Sequence, residues 1–384
     1  MFSFFKKLFR QKQKPEFQIF VDIGTTCASM VVAEKRDNGF FLSSKTRFEV
    51  QETDRDAGQQ KIQRFMQDYI ISVIKEHGRV PQKMHIGVSG AMLENRFETV
   101  HLTRKNQQKK LTEVELQELI QDGLVQFSKP DANTALAYFF VTRIALDGYA
   151  IQELPHAAYP ATVAISFFLS FAPQDYWKAL TGMTSAFGGF QIQFYPNQYL
   201  AGTVLPRLLG IRDGVFVDIG GTVTEVSVVS GQKLSYVARI DYGGEQMTEH
   251  FAEFLNMHSK KDAKNLKRQY SHFWFSSDQK TRALEDGLRE SARVWREKLD
   301  AVFASVYTVI VPDAFFLFGG GANFPPVIAA LEETDGERSA FLEKITVKKN
   351  SAEDIALPYA PGSERLYGSD AVMLAALIAQ AYGK

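Results

Sequence analysis

The sequence has little cysteine and no excess of either charge. Cys27 is the only cysteine among 384 residues, which excludes an internal disulfide framework and a cysteine-based zinc site and fits a reducing cytoplasm. Lysine and arginine total 44, and so do aspartate and glutamate, so no overall electrostatic field favours nucleic acid. We therefore expect a cytoplasmic protein without a nucleic-acid partner.

Long apolar runs and common hydrolase motifs are also missing. No apolar run approaches the roughly 20 residues that a helix needs to cross a bilayer, and AISFFLSFA (Ala164 to Ala172) predicts a buried strand. The seven histidines lack metal-ligand spacing and no serine lies in a GxSxG motif, which argues against a zinc centre or a serine hydrolase. The length of the chain predicts two or more domains.

Two glycine turns of the same design lie far apart in the chain. In GVFVDIGGTVTEVSVV (Gly214 to Val229), a buried strand ends in an acid, two glycines follow, and an alternating strand resumes. FQIFVDIGTTCASMVVAE (Phe17 to Glu34) repeats this order. Glycine lets a backbone approach a phosphate, consecutive N–H groups bind anions, and an acid at a strand end can hold Mg²⁺ through water. Facing each other, two such hairpins would clamp a phosphate chain.

A third glycine turn, in AFFLFGGGANFPPVIAA (Ala314 to Ala330), follows an apolar strand and precedes a helix with Pro325 and Pro326 in its first turn. Three glycine turns in this order resemble the actin-like ATPase superfamily, with its two phosphate motifs and its adenosine motif. The resemblance implies an α/β protein with duplicated actin-like (ribonuclease H-like) domains around a nucleotide cleft. It also implies ATP and Mg²⁺ as cofactors.

The resemblance assigns the site residues as well. Asp22 and Asp218 would flank the phosphates and hold Mg²⁺ through water, and the hydroxyls of the turns would bond phosphate oxygens. The glycines of the third turn would admit the adenosine. The expected nucleotide-binding residues are Asp22, Gly24, Thr25, Thr26, Asp218, Gly220, Gly221, Thr222, Lys267, Gly319, Gly320 and Gly321.

The turns depart from the pattern of FtsA, a cell-division protein of that superfamily. Cys27 stands where FtsA has a lysine, Val223 stands where a hydroxyl is expected, and Glu225 replaces an aspartate. The only polar candidate for orienting a water is Gln198. We therefore expect ATP to act as a conformational clamp that is hydrolysed slowly or not at all, and we assign no catalytic residue.

The polar run SKKDAKNLKRQ (Ser259 to Gln269) is similar to the FtsA segment that carries an acid and a lysine for the ribose and base. Lys264 stands where the acid is expected, and Lys267 keeps the position of the lysine. The resemblance thus implies that Lys267 contacts the nucleotide. The alternative is a solvated basic helix face.

Residues 90–160 predict an inserted α+β module with a capping box at Thr112 and Glu115, a strand and an Asp-Gly turn. An insertion here resembles FtsA and its pilus-assembly relative PilM, and ALDGYAIQELP (Ala145 to Pro155) is similar to the FtsA pattern; an unrelated insertion is the alternative. The expected domains are a tail and linker at 1–16, the first actin-like domain at 17–89 and 161–212, the inserted module at 90–160, and the second actin-like domain at 213–384.

The first ten residues, MFSFFKKLFR, predict a short helix that lies on a membrane surface. At about 100° per residue, apolar residues fall on one face and basic residues on the other. The segment lacks the continuous apolar region of a cleavable signal. We expect attachment to the inner face of the cytoplasmic membrane; docking on a partner protein and an idle tail are the alternatives. The expected membrane residues are Phe2, Phe4, Phe5, Lys6, Lys7, Leu8, Phe9 and Arg10.

The resemblance leaves three functions to compare. The first is an FtsA-like scaffold that links a cytoskeletal partner of the division machinery to the membrane, with self-association left open. The second is a PilM-like component of a type IV pilus or secretion system, in which the inserted module captures a peptide of a membrane protein. The third is a sugar or acid kinase of the same superfold. A kinase needs a catalytic aspartate at its substrate cleft, and the absence of a third acidic motif between the phosphate hairpins argues against this function.

Overall fold

The computed structural model describes residues 16–50, 55–127, 133–187, 189–272, 279–306, 310–333 and 345–383. Its strands are β1 (Phe17–Ile23), β2 (Cys27–Arg36), β3 (Gly39–Glu49), β4 (Lys83–Val88), β5 (Glu94–Thr103), β6 (Thr134–Leu146), β7 (Tyr149–Ile151), β8 (Thr162–Pro173), β9 (Gln191–Pro196), β10 (Gly214–Ile219), β11 (Thr224–Ser230), β12 (Lys233–Ile240), β13 (Ala314–Phe318) and β14 (Thr346–Lys349).

The helices lie between these strands and at the end of the chain. Within the described ranges, none has the combination of length and apolar character that crossing a membrane requires. They are α1 (Arg55–His77), α2 (Glu113–Phe127), α3 (Gln174–Ala186), a three-part crossover helix α4 (Asn197–Tyr199, Leu200–Val204 and Leu205–Leu209), α5 (Gly244–Phe254), α6 (Lys260–His272), α7 (Gln279–Ala304), α8 (Pro325–Glu332) and α9 (Val372–Ala381).

Two five-stranded sheets share one plan. The first has the order β3-β2-β1-β4-β9 and the second has the order β12-β11-β10-β13-β14. In each sheet, three consecutive strands of the chain form an antiparallel meander, and two later strands add in parallel beside β1 or β10. The two glycine hairpins thus start two copies of the same sheet, which confirms the predicted duplicated α/β fold.

A shared apolar core joins the two sheets. It contains α9, the crossover helix and the facing side chains of both sheets, with Phe20 on the first and Phe216 on the second, all excluded from water. On the outer faces, α1 and α3 cover the first sheet, and α5, α7 and α8 cover the second. The shared core fixes the two sheets against each other. The crossover helix lies in this core and carries the chain from β9 of the first sheet to β10 of the second.

The inserted module is a four-stranded antiparallel sheet of order β5-β8-β6-β7, with α2 packed on one face. We expected the first actin-like domain to resume at residue 161, but β8 pairs with β5 and β6 along its length. The strand is buried on both faces, because Phe167 packs toward α2 while Phe168 packs toward the crossover helix. An apolar run of this kind fits the centre of either sheet. The sequence alone therefore could not assign β8 to the module rather than to the first actin-like domain.

One histidine of the first domain is buried and nearly inaccessible to solvent. His85 on β4 is 2% exposed, stacks on Phe20 at 4.8 Å and shares a 2.7 Å hydrogen bond from Nε2 to Gln18 Oε1. Its Nδ1 meets no hydrogen-bond partner in the described part of the chain. Burial lowers the pKa of His85 to about 4, so the folded protein holds this ring neutral.

We expect this histidine to contribute to acid destabilisation. Since the pKa of His85 is lower in the folded protein than in the unfolded chain, stability is present above pH 6.5 and falls as the pH drops toward 4. His85→Phe should remove about 1–2 kcal/mol of the loss in unfolding free energy between pH 7 and pH 5, measured by urea denaturation. The exposed His101, changed to Phe, is the matched control; equal pH dependence in the two variants would contradict the assignment.

Candidate nucleotide cleft

The carboxyl ends of β1 and β10 open into one cavity between the two sheets. Asp22 and Asp218 stand at those ends, and both line a cavity of about 770 Å³. The two carboxylates are far apart in the sequence but face the same space, because each belongs to the equivalent strand of a duplicated sheet. Both acids predicted at the phosphate turns therefore line one cavity.

The two predicted phosphate turns are built alike and touch each other. Each turn closes with a backbone bond from its first glycine, Gly24 N to Cys27 O at 2.8 Å and Gly220 N to Val223 O at 2.9 Å. The backbone N–H of Thr222 donates to Thr25 Oγ1 at 3.0 Å. A Cβ on Gly221 would lie 2.1 Å from Thr26 Oγ1, so only glycine permits this approach.

The third glycine turn joins the other two. Gly319 has φ +86°, and a Cβ there would lie 2.2 Å from Asp218 Oδ1. Its N–H donates to Ser369 O at 3.0 Å, which ties the turn to the start of α9. A Cβ on Gly321 would meet Ile219 Cγ2 at 2.2 Å. All three turns thus converge on the floor of one cleft.

Most of the residues expected from the sequence face this cavity. Thr222 is the exception, because its backbone is used in the contact with Thr25 and it does not line the space. The expected residues that do line it are Asp22, Gly24, Thr25, Thr26, Asp218, Gly220, Gly221, Lys267, Gly319, Gly320 and Gly321.

Buried carboxyl groups are concentrated at the cleft floor. Burial raises the pKa of Asp22 to about 6, against a lowering effect of its hydrogen bond with Asn197. Burial, then Glu225, then Asp22 raise the pKa of Asp218 well above its usual range. Glu225 lies opposite Asp218 in the β10–β11 pair, and burial raises its pKa to about 7. Arg47 lines the same cavity and lowers the pKa of Asp22, but burial outweighs it. Full ionisation of these carboxyl groups therefore requires further positive charge.

A hydrated divalent cation fits that requirement. Within the described ranges, no group of three or more histidine, cysteine or acidic side chains is arranged to hold a metal directly. Among the described residues that line the cavity, two buried acceptors, Asn197 Oδ1 and Glu225 Oε1, have no hydrogen-bond partner. Such oxygens can accept from the waters of a hydrated Mg²⁺, which keeps much of its water when bound. Asp22 and Asp218 are the residues that would hold it.

Cationic side chains line the side of the cleft formed by α6. Lys267 Nζ donates to Gly244 O and to Thr248 Oγ1 at 2.7 Å, and burial lowers its pKa to about 8. Lys264, which stands where an acid was expected, pairs instead with Glu245 at 2.5 Å. The acid beside Lys264 therefore comes from α5. From Lys260 onward, the polar run that ends at Gln269 lies in helix α6, one face of which lines the cavity.

Several residues of the cleft were missed in the sequence. Asn197 donates to Asp22 Oδ1 at 3.0 Å, and Arg268 on α6 pairs with Glu49 on β3 at 2.9 Å, across the two halves. The only available signal for Asn197 was its position directly after a parallel strand. Gln198 was our candidate for orienting a water, but it does not line the cavity, and its amide is bonded to Ala238 O at 2.6 Å.

Comparison with known proteins agrees with this geometry. A model of the cell division protein FtsA family matches residues 215–364, and no curated protein sequence matches the chain. A chain from a PilM-PilN type IV pilus biogenesis complex is 16% identical with a TM-score of 0.65, and the match covers 94% of this chain and 97% of that chain.

The chain has the fold of the actin-like ATPases, and its second half resembles the FtsA family over residues 215–364. The ethanolamine utilization protein EutJ from Carboxydothermus hydrogenoformans is also similar, at 13% identity and a TM-score of 0.49, covering 95% of this chain and 89% of that chain.

The third turn offers a matched test of the close approach. A Cβ on Gly321 would lie 2.2 Å from Ile219, whereas a Cβ on Gly320 meets no atom within 4 Å. We expect Gly321→Ala to lower the unfolding free energy by about 1–3 kcal/mol through overpacking, and Gly320→Ala to change it by less than about 0.5 kcal/mol. Urea denaturation without nucleotide measures both; equal stabilities would contradict the convergence of the turns.

Proposed function

We propose that this actin-like protein binds Mg-ATP in its cleft and serves as an assembly scaffold at the inner face of the cytoplasmic membrane. The observation that carries the proposal is the convergence of three glycine turns around Asp22 and Asp218 in one cavity. When bound, Mg²⁺ would shield the charge of the triphosphate. This chain's own contributions are the backbone amides of the turns, the two carboxylates, and the amide of Asn197 that orients Asp22.

Hydrolysis has no assigned base in this proposal. Gln198 is turned away from the cavity and bonded to backbone and to Asn95, so it does not orient a water there. We propose that nucleotide acts chiefly by holding the two halves together, with slow turnover or none. A steady rate above a few turnovers per minute in purified protein would argue against this part, and phosphorylation of a small metabolite would favour a kinase instead.

Of the assembly roles, we propose peptide capture by the inserted module, as in a pilus or secretion complex. The likeness to the chain from the PilM-PilN complex runs over nearly the whole of both chains. The module also offers a suitable edge: β7 pairs only with Ile144 to Leu146 of β6, and no other described strand pairs with that side of β6. Phe139 lies on this strand and is 39% exposed. An extended peptide can add to such an edge.

A division role is the second candidate. It is favoured by the match of the FtsA family model, although that match is limited to residues 215–364 and leaves out the module. A fluorescent fusion that collects at the division site would support this role over peptide capture in a pilus or secretion complex.

Nucleotide binding is tested by neutralising each acid. Asp22→Asn and Asp218→Asn should each weaken Mg-ATP binding at least about tenfold, because each removes a carboxylate that would hold the hydrated cation. Burial already favours the neutral form of both groups, so the nucleotide-free variants should stay folded. The exposed Asp68 on α1, changed to Asn, is the control.

Calorimetric titration with Mg-ATP, and with ATP in EDTA, measures these affinities. Thermal protection by Mg-ATP should fall in parallel, since a ligand stabilises in proportion to the logarithm of its concentration over Kd. Wild-type affinity in the Asp22 and Asp218 variants, or no binding by the wild type, would reject the nucleotide proposal.

Membrane attachment is tested separately. The expected membrane residues Phe2 to Arg10 lie outside the described residues, so their role stays a prediction. The full chain should sediment with vesicles that contain anionic phospholipid, and a variant without residues 1–14 should not. Changing Lys6, Lys7 and Arg10 to Gln should reduce the preference for anionic over neutral vesicles. Equal sedimentation of the full and shortened chains would refute the attachment.

A further inference from the structure

The first turn of the crossover helix is a junction between separate parts of the protein. It consists of Asn197, Gln198 and Tyr199, which are 3%, 3% and 6% exposed. Each side chain contacts a different neighbour. Asn197 Nδ2 donates to Asp22 Oδ1 at 3.0 Å at the cleft floor, so one face of this turn belongs to the first phosphate site.

Gln198 connects the inserted module to the second half of the protein. Its Oε1 accepts from Asn95 Nδ2 at 2.7 Å, and its Nε2 donates to Ala238 O on β12 at 2.6 Å. Asn95 in turn accepts from Ser170 Oγ at 2.5 Å, which extends the network from β5 to β8. A buried polar network of this kind holds its members in one arrangement as long as every group is paired.

Tyr199 adds an aromatic contact to the same module. Its ring centroid lies 5.0 Å from that of Tyr138 and 5.3 Å from that of Phe140, both on β6. β6 is the strand with the open edge. Three consecutive residues therefore contact three different parts of the protein. Asn197 contacts the cleft floor, Gln198 contacts both the module and the second half, and Tyr199 contacts the module's edge strand.

The helix changes its hydrogen bonding immediately after this turn. Leu200–Val204 forms a π-helical turn, a rare arrangement that occurs mostly as single turns and often at functional sites. Leu205–Leu209 then continues as α-helix to Gly210. Gly202 within the π turn is held by packing, since a Cβ there would lie 2.2 Å from Leu234 Cδ1. The π-helical turn itself is buried, and it lies directly between the junction and the α-helical part of the crossover helix.

We propose that the turn Asn197–Tyr199 is a positioning element that couples the inserted module to the nucleotide cleft. A movement of β5 or β6 shifts Gln198 and Tyr199, and through the same turn it shifts the amide that orients Asp22. The coupling deepens the proposed function, because it makes nucleotide and a module-bound peptide change each other's affinity by the same factor. Gln198 acts here as a connector and not as a group that orients water.

The test uses two polar side chains of the same strand. Asn95→Ala removes the bond to Gln198 without touching the cavity, which Asn95 does not line. Thr99→Ala is the matched control. Thr99 Oγ1 shares a 2.9 Å hydrogen bond with Ser166 Oγ across the same pair of strands, and this bond does not involve the crossover helix. Both variants are compared with the wild type by hydrogen exchange without nucleotide and by calorimetric titration with Mg-ATP.

In Asn95→Ala, we expect amide exchange within Leu200–Val204 to accelerate at least tenfold, while exchange in the distant helix α7 stays unchanged. We also expect the Kd for Mg-ATP to rise at least fivefold. Thr99→Ala should stay within twofold of the wild type in both measurements. Unchanged exchange at Leu200–Val204 in Asn95→Ala, or an equal change in Thr99→Ala, would overturn the coupling. A wild type that binds no Mg-ATP would reject the proposed function, while the exchange comparison would still decide the coupling.

Discussion

The cleft depends on the direct contact between the two phosphate turns. A backbone N–H of one turn donates to the Thr25 hydroxyl of the other, and Gly221 lies too close to Thr26 for any side chain to be added. This approach fixes the distance between the ends of β1 and β10. The large core behind the turns, formed around α9 and the crossover helix, holds both sheets in the orientation that the contact needs.

Electrostatics divide the cleft into two sides. The floor gathers carboxyl groups whose pKa values burial raises, and the α6 side carries Lys264, Lys267 and Arg268. In the proposed complex, a hydrated cation would compensate the carboxyl groups of the floor, and the lysines of the α6 side would face anionic oxygens of the triphosphate. The Glu49–Arg268 pair joins the halves at the cavity, so the same charges that suit a ligand also connect the two domains.

The crossover helix links these features to the module. Its first turn bonds Asp22, the module and β12 through consecutive side chains, so the module is attached to the cleft by more than chain connectivity. The proposed peptide surface on β6 and the proposed nucleotide cleft would then be two sites of one structural unit. For a scaffold, this arrangement would let assembly depend on nucleotide without a need for rapid hydrolysis.

The sequence by itself determined the duplicated fold, the three glycine turns and nearly all of their cavity-lining residues. Those features are encoded locally, because strand patterns and turn glycines need only a few consecutive residues to specify them. Only the tertiary structure decided that β8 belongs to the module, that Glu245 supplies the acid beside Lys264, and that Asn197 and not Gln198 faces the cleft. Each of these depends on which distant residue packs against a buried side chain. Neighbouring residues of a helix point about 100° apart, and only the packing of the helix decides which of them faces the cleft.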